Sequence, residues 1–353
     1  MTTTDFTGCQ RYDVNSYGGA DTKQKVVLDG QVYMLKFGKP LEPDPARPLQ
    51  ASRSNMPFSE HIGCRICEEL GLPAQETILG TYEGRPVVAC KDFIANRDDR
   101  DDLELVEFKK LENSLLGSPT AGGRTPQYDN LIRVFEEHPA LEGIRKSARE
   151  RYWKTFAVDA LIGNFDRHAG NWGYILRRSE DRLVALAPVY DCGSSLYPQL
   201  SESAMAELVH DRAVLESRVR TFPTAALRIG KRRVPYHEFL TSPQGAEART
   251  VLLDLYQRLD LDAVRQLIWE TPLASDLRRE FYATLVTVRE ETILRPAYEL
   301  AIKEQAHDRS AQEHAYDLAS ESRDMIAASE RLALEETMAE RTQGRADTRG
   351  EER

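Results

Sequence analysis

Apolar positions near the amino terminus alternate on a short period. Val26 to Leu28 form one brief apolar run, Asp29-Gly30 follows, and Val32 to Phe37 return with β-branched and aromatic side chains. This predicts a hairpin over residues 24–37, with Asp-Gly as its tight turn. Residues 38–58 are rich in proline and polar side chains and read as a loop. From Ser59 to Leu70 the spacing turns helical, with Ile62, Ile66 and Leu70 on one face, Ser59 as N-cap and Gly71 as the stop before Pro73. Two more strands, Thr77 to Tyr82 and Pro86 to Cys90, flank Glu83-Gly84. Residues 1–95 are thus expected to form a small, mainly antiparallel sheet carrying one helix.

Asn96 to Asp102, NRDDRDD, suits an exposed connection. Beyond it the pattern predicts helices around 103–111, 127–138 and 145–163, with Gly117 to Pro126 as a loop between the first two. Gly173 to Leu176 and Leu183 to Pro188 read as strands on either side of a charged turn, and helices are expected again at 202–219, 246–258, 261–270 and 275–300. The expected fold is α+β: a sheet-rich lobe, then a larger helical lobe over 96–300. Residues 301–353 hold 13 acidic and 8 basic side chains with sparse apolar positions. They read as an exposed acidic helical extension fraying into a disordered end, with a partner-binding helix as the alternative.

Composition narrows the class. Of 353 residues, 41% are apolar and 29% charged, enough for a sizeable core under a solvated surface. No apolar run approaches the length of a membrane-spanning helix, and MTTTDFTGCQRYD has neither the basic nor the apolar region of a secretory signal, so the cytoplasm is the expected compartment. With a net charge of −10, no broad phosphate-tracking face and no direct nucleic-acid binding are expected. The five cysteines do not cluster in sequence, which argues against a disulfide framework. Cys64 and Cys67 read as a buried helix face rather than half of a metal or redox site.

The most informative segment is DALIGNFDRHAGNWGYIL at 159–176. Here a helix runs out at Gly163-Asn164 and a strand begins after Asn171, so Asp166 and Asn171 share one connecting loop. Such a loop can aim a carboxylate and an amide oxygen into one cleft, the first to orient and deprotonate a hydroxyl, the second to hold a divalent cation. Asp191, beyond the next strand and beside Gly193 and Ser194, is placed to hold the same cation. Each has a plainer reading: Asp166 as a cap, Asn171 as a turn former, Asp191 as a turn cap. His168 lacks a neighbouring nucleophile and takes a positional role. Lys36 shares a strand face with Met34 and Val32, so its stem is buried and its head needs an anion, either ATP phosphates or Glu60 on the following helix; an edge lysine reaching water is the plainer reading. In Ser16 to Lys23, Gly18 and Gly19 let backbone amides approach a phosphate, although the segment is no Walker motif.

In order and spacing, SYGGADTK (16–23), YMLKF (33–37), DRHAGN (166–171) and VYDCGS (189–194) resemble the HipA-like serine/threonine kinases, and the block 59–93 resembles their CtkA-like branch. The resemblance implies a bilobal, protein-kinase-like fold, distantly similar to phosphatidylinositol kinases, and use of ATP and Mg²⁺. It assigns Lys36 to the α- and β-phosphates, Asp166 as catalytic base, and Asn171 and Asp191 as Mg²⁺ ligands. Gly18, Gly19, Ala20, Asp21 and Lys23 become the phosphate-covering loop, the stretch containing Lys91 and Phe93 the hinge at the adenine, and Glu60 and His168 members of the nucleotide site. Ser16, seven residues before Lys23, matches the family's autophosphorylated serine. The implied partners are a protein substrate with a Ser or Thr acceptor and, for members that are toxins, a separate antitoxin. A small-molecule or lipid phosphotransferase, and a catalytically silent binding protein of the same fold, remain the alternatives.

Overall fold

The first hairpin is formed as its residue pattern requires. Asp29 and Gly30 both take positive φ, 49° and 76°, the left-handed pair that matches the twist of a two-residue β-turn. In this computed structural model the described residues are 3–12, 23–44, 50–118 and 125–310, with positions 312, 313, 322, 323, 325, 326 and 329 beyond them. The chain divides into two compact units, Met1–Ala301 and Ile302–Arg353.

The elements of the first unit start with β1 (Thr4–Asp5), β2 (Gln10–Arg11), β3 (Lys23–Leu28) and β4 (Gln31–Phe37). Helix α1 (Met56–Glu69) precedes β5 (Thr77–Tyr82) and β6 (Arg85–Lys91). The six strands form one sheet in the order β1-β5-β6-β4-β3-β2. All its pairs are antiparallel except β1 with β5. Alternation sorts the side chains of β4: Tyr33 and Leu35 join Phe6, Val26, Val87 and Ala89 on one face, while Met34 and Lys36 point to the other. On that second face α1 packs Ile62 and Ile66 with Leu79, Val88 and Cys90.

Then come β7 (Leu103–Glu107), α2 (Phe108–Leu115), α3 (Tyr128–Glu137), α4 (Arg145–Ile162), β8 (Gly173–Arg177) and β9 (Arg182–Leu186). After them lie α5 (Glu202–His210), α6 (Arg212–Thr221), β10 (Thr224–Ile229), β11 (Arg232–Pro235), α7 (Tyr236–Thr241), α8 (Ala246–Arg258), α9 (Leu261–Trp269) and α10 (Asp276–Arg289). Strand β8 is the centre of a three-stranded sheet between β7 and β9, and β10 and β11 form a separate hairpin. The core beneath the β8–β9 region is aromatic: Phe108 stacks on Trp172 with centroids 4.1 Å apart, and Trp153 on Phe239 at 5.6 Å.

Four expectations change. Helix α1 begins at Met56, with Ser59 inside it, because Pro57 fits only a first helical turn. Residues 103–107 are a strand, since pairing with Gly173–Arg177 overrides their helical spacing. The helix expected over 202–219 is two, divided where the Asp211 carboxylate accepts the amide of Val214 at 3.1 Å and caps α6. The helix expected over 275–300 contains a π-helical turn, Glu290–Leu294, before residues 295–301 resume α-helix. In the second unit residues 302–310 are helical and mostly exposed. No described helix is long and apolar enough to cross a membrane.

Glu112 on α2 is buried with neither carboxylate oxygen hydrogen-bonded. Burial pushes its carboxyl up to about 7, above the roughly 4.3 of a free glutamate. The folded state therefore holds this proton more tightly than the unfolded chain. The stability this contributes is full below about pH 4 and lost as pH rises through 7. Glu112→Met should accordingly gain stability over the parent at pH 8, by about 1–3 kcal/mol, and little or none at pH 4. Thermal melts across that range check this; a gain independent of pH contradicts it.

Candidate active site

Lys36 sits where an inward-facing strand residue must find a countercharge. Its Nζ lies 2.7 Å from Glu60 Oε1 on α1 and 3.3 Å from Asp191 Oδ1 beyond β9. Lys36 and Glu60 are buried; the Asp191 side chain is 38% exposed, which leaves it an accessible edge. Burial alone would push the ammonium's pKa down, but Asp191 and Glu60 override it and hold the group well above its usual value, so Lys36 stays charged. The same burial pulls Glu60 up while the ammonium pulls it back. Close approach of α1 depends on Gly193: a Cβ there would lie 2.5 Å from Met56 Cγ and 3.1 Å from Glu60 Oε2. Asp191 itself holds φ at 60°, a left-handed backbone more common in aspartate than in most residues and frequent at functional sites.

The loop after α4 is built around a buried pair that sequence reasoning missed. Arg167 Nε and Nη2 donate to the two oxygens of Asp159 at 2.8 and 3.0 Å. Its Nη1 also donates to the backbone carbonyls of Asn171, at 3.1 Å, and of Tyr190. Nη2 reaches Cys192 Sγ at 3.3 Å. One guanidinium thus ties together α4, the Asp166–Asn171 loop and the Asp191 loop. Asn164 adds to the frame, donating to Asp159 Oδ1 at 3.0 Å and accepting the amide of Asp166 at 3.1 Å. The side-chain amide of Asn171 donates to the carbonyl of Asp166 at 2.8 Å, which spends its nitrogen and leaves its oxygen as the available ligand. His168 Nδ1 accepts the amide of Gly170 at 3.0 Å, placing the imidazole as a part of the loop's own bonding. Cys64 and Cys67 lie buried on α1 as expected.

These groups border a cleft of about 410 Å³, within the range of small-molecule sites. Its lining includes one apolar set, Met34, Leu105, Phe93 and Tyr190, the last two with ring centroids 5.9 Å apart. It also includes a polar set, Lys36, Lys109, His168, Asn171 and Asp191, with Asp92 and Glu107. A planar base suits the first and phosphates suit the second. Among the described residues no group of three or more His, Cys, Asp and Glu side chains is arranged to hold a metal. Asn171 and Asp191 instead offer two hard oxygen donors, a set that suits Mg²⁺ when phosphate and water complete the shell.

Not every expected residue meets there. Asp166 is half-buried on the same loop but does not line the cleft itself. Glu60 lies behind Lys36 as its counter-ion. The Lys91 ammonium is paired with Glu76 at 2.7 Å, away from the lining residues. Ser16, Gly18, Gly19, Ala20 and Asp21 lie outside the described residues, and of Lys23 only the backbone is described. Leu105 and Glu107 line the cleft from β7 rather than from the expected helix, and Lys109 lines it from α2. Tyr190 was missed although it adjoins Asp191.

The HipA-like C-terminal domain family matches residues 15–252. The chain is a member of the HipA-like family. The serine/threonine-protein kinase CtkA of Helicobacter pylori is 34% identical over 323 residues, 91% of this chain and 95% of that protein. The crystal structure of the H. pylori proinflammatory kinase CtkA superposes with a TM-score of 0.76 at 32% identity, covering 86% of this chain and 98% of that one. The fold is therefore that of a HipA-like kinase, α+β, with the six-stranded sheet and the helical part described above. HipA of Shewanella oneidensis MR-1, solved with HipB and its operator DNA, is 13% identical with a TM-score of 0.47 over 82% of this chain and 68% of that one, a likeness too loose to carry an argument.

Removing one half of a buried ion pair leaves the other half stranded. Arg167→Met should destabilise the protein by about 3–5 kcal/mol, and adding Asp159→Asn should restore part of the loss. Denaturant unfolding of the two single variants and the double variant gives the coupling; additive losses contradict the pairing as the cause.

Proposed function

We propose that this chain, a serine/threonine-protein kinase by family, transfers the γ-phosphoryl group of ATP to a protein hydroxyl in the cleft lined by Lys36, Asn171 and Asp191. The observation that carries the proposal is the placement of Lys36: a buried ammonium held charged by Glu60 and Asp191 in a cleft that the rings of Phe93 and Tyr190 also line.

Phosphoryl transfer asks a protein mainly for positioning and charge. In this reading the purine lies against Phe93 and Tyr190 and the phosphates run toward Lys36, whose ammonium offsets charge on the α- and β-phosphates. Asn171 and Asp191 would hold Mg²⁺, which when bound neutralises phosphate charge. Asp166 accepts a hydrogen bond from the acceptor Ser or Thr hydroxyl. As the hydroxyl oxygen bonds to the γ-phosphorus, its proton passes to the Asp166 carboxylate. The bond from γ-phosphorus to the β,γ-bridging oxygen breaks, and ADP leaves with that electron pair. Arg167 keeps the Asp166 and Asp191 loops in register through the carbonyls of Asn171 and Tyr190.

Asp166→Asn should lower transfer to a protein acceptor by about 10²–10⁴-fold while still binding nucleotide. Asp191→Asn should weaken activation by Mg²⁺, shifting its half-saturation upward. Transfer assays with labelled ATP over a Mg²⁺ titration separate the two roles. Full activity in either variant overturns its assignment.

A further inference from the structure

Charge is unevenly spread along this acidic chain. Residues 212–233, which span α6, β10 and the start of β11, hold seven basic side chains against one acidic, Glu216, in a protein of net charge −10. Some of these cations are already engaged. Arg212 pairs with Glu216 and Glu291, Arg232 pairs with Glu238, and Arg233 donates to the carbonyls of Ala225, Thr224 and Phe165. Arg218, Arg220 and Lys231 are different. All three are exposed, and none has a carboxylate within ion-pair distance among the described residues. Exposed arginines elsewhere, such as Arg85, Arg133, Arg182 and Arg265, each have one.

The surface has an apolar component too. The Arg218 guanidinium lies 5.0 Å from the ring centroids of both Tyr197 and Phe222. Phe222 is 43% exposed and Val214 51%. Cations interleaved with exposed apolar side chains suit a peptide better than a bare polyanion, because each apolar side chain needs a partner of its own kind.

Its location connects it with the chemistry. Arg233 donates to the carbonyl of Phe165, the residue before Asp166, and Tyr236 at the start of α7 donates through its hydroxyl to the carbonyl of Asn164 at 2.5 Å. Tyr197, on the segment following Asp191, donates to the carbonyl of Phe222 at 2.8 Å. Lys231 lies in the turn between β10 and β11, two residues before Arg233. This surface is therefore fastened directly to the loop that carries Asp166.

We propose that α6 and the β10–β11 hairpin form the docking surface for the acceptor protein, and that it takes an acidic segment: a Ser or Thr flanked by Asp or Glu, with an apolar side chain set against Phe222 or Val214. This rests on the kinase reading of the cleft. A short acidic segment senses only charges within a Debye length of about 8 Å, so the local excess of cations attracts it although the whole protein is negative. A long nucleic acid would extend past the patch onto acidic surface.

The test uses the full-length chain and three fluorescent serine peptides of equal length, flanked by Glu, by Ala or by Lys. The Glu-flanked peptide should bind by anisotropy, and turn over by kcat/KM, about tenfold better than the Ala-flanked one, as two or three exposed charge pairs would give. High salt should shrink that advantage. The double variant Arg220→Glu with Lys231→Glu should lose it and favour the Lys-flanked peptide, with its thermal melt showing that it folds. Equal binding of the three peptides, or an unchanged preference in the double variant, overturns the proposal. So does an oligonucleotide of matched charge that binds more tightly than the Glu-flanked peptide and is lost in the double variant. Binding discrimination without phosphate transfer would support the docking surface and count against the kinase reading; transfer to all three peptides equally would do the reverse.

Discussion

The site depends on one buried ammonium. Lys36 comes from the six-stranded sheet, Glu60 from the helix packed on that sheet, and Asp191 from the loop beyond β9. A charge taken out of water is costly unless it is met by countercharge in good geometry. Here the two carboxylates can meet it only when α1 and the Asp191 loop both close on β4. Gly193 permits that closure by leaving room for Met56 and Glu60. The same contacts that make Lys36 tolerable thus assemble one wall of the cleft, and folding energy and site geometry are coupled through a single side chain.

The loops that carry Asn171 and Asp191 have an analogous anchor. Arg167 is buried with Asp159, and its remaining donors hold the carbonyls of Asn171 and Tyr190. A rigid aromatic layer of Phe108, Trp172, Tyr152 and Trp153 lies beneath it. Loops are ordinarily the mobile parts of a fold. Here a guanidinium with five donors fixes two of them relative to each other, as a site that works by positioning requires.

Much of this was legible from residues. The Asp29-Gly30 turn, the alternation that turns Lys36 inward and the helix ending at Gly163 follow from local rules, and each is present. Glu60 was readable as the partner of Lys36 because an inward lysine needs an anion and the next helix offered one. What was not legible came from long-range pairing. Leu103–Glu107 became a strand only because Gly173–Arg177 lies beside it, and that brought Leu105, Glu107 and Lys109 to the cleft. The role of Arg167 was hidden for the same reason: nothing near it in sequence shows that Asp159, Tyr190 and Cys192 will surround it. The ion pair of Lys91 with Glu76 likewise depends on a strand register that composition does not reveal.

The central claim is that Lys36, Asn171 and Asp191 face one bound nucleotide and its metal. The most direct measurement is a crystal structure of the full chain with a non-hydrolysable ATP analogue and Mn²⁺, located by its anomalous signal. The account predicts a metal peak at about 2.0–2.2 Å from a side-chain oxygen of Asn171 and of Asp191, with Lys36 Nζ on a phosphate oxygen and the base against Phe93 and Tyr190. A nucleotide bound elsewhere, or a metal in the cleft that touches neither Asn171 nor Asp191, would contradict it.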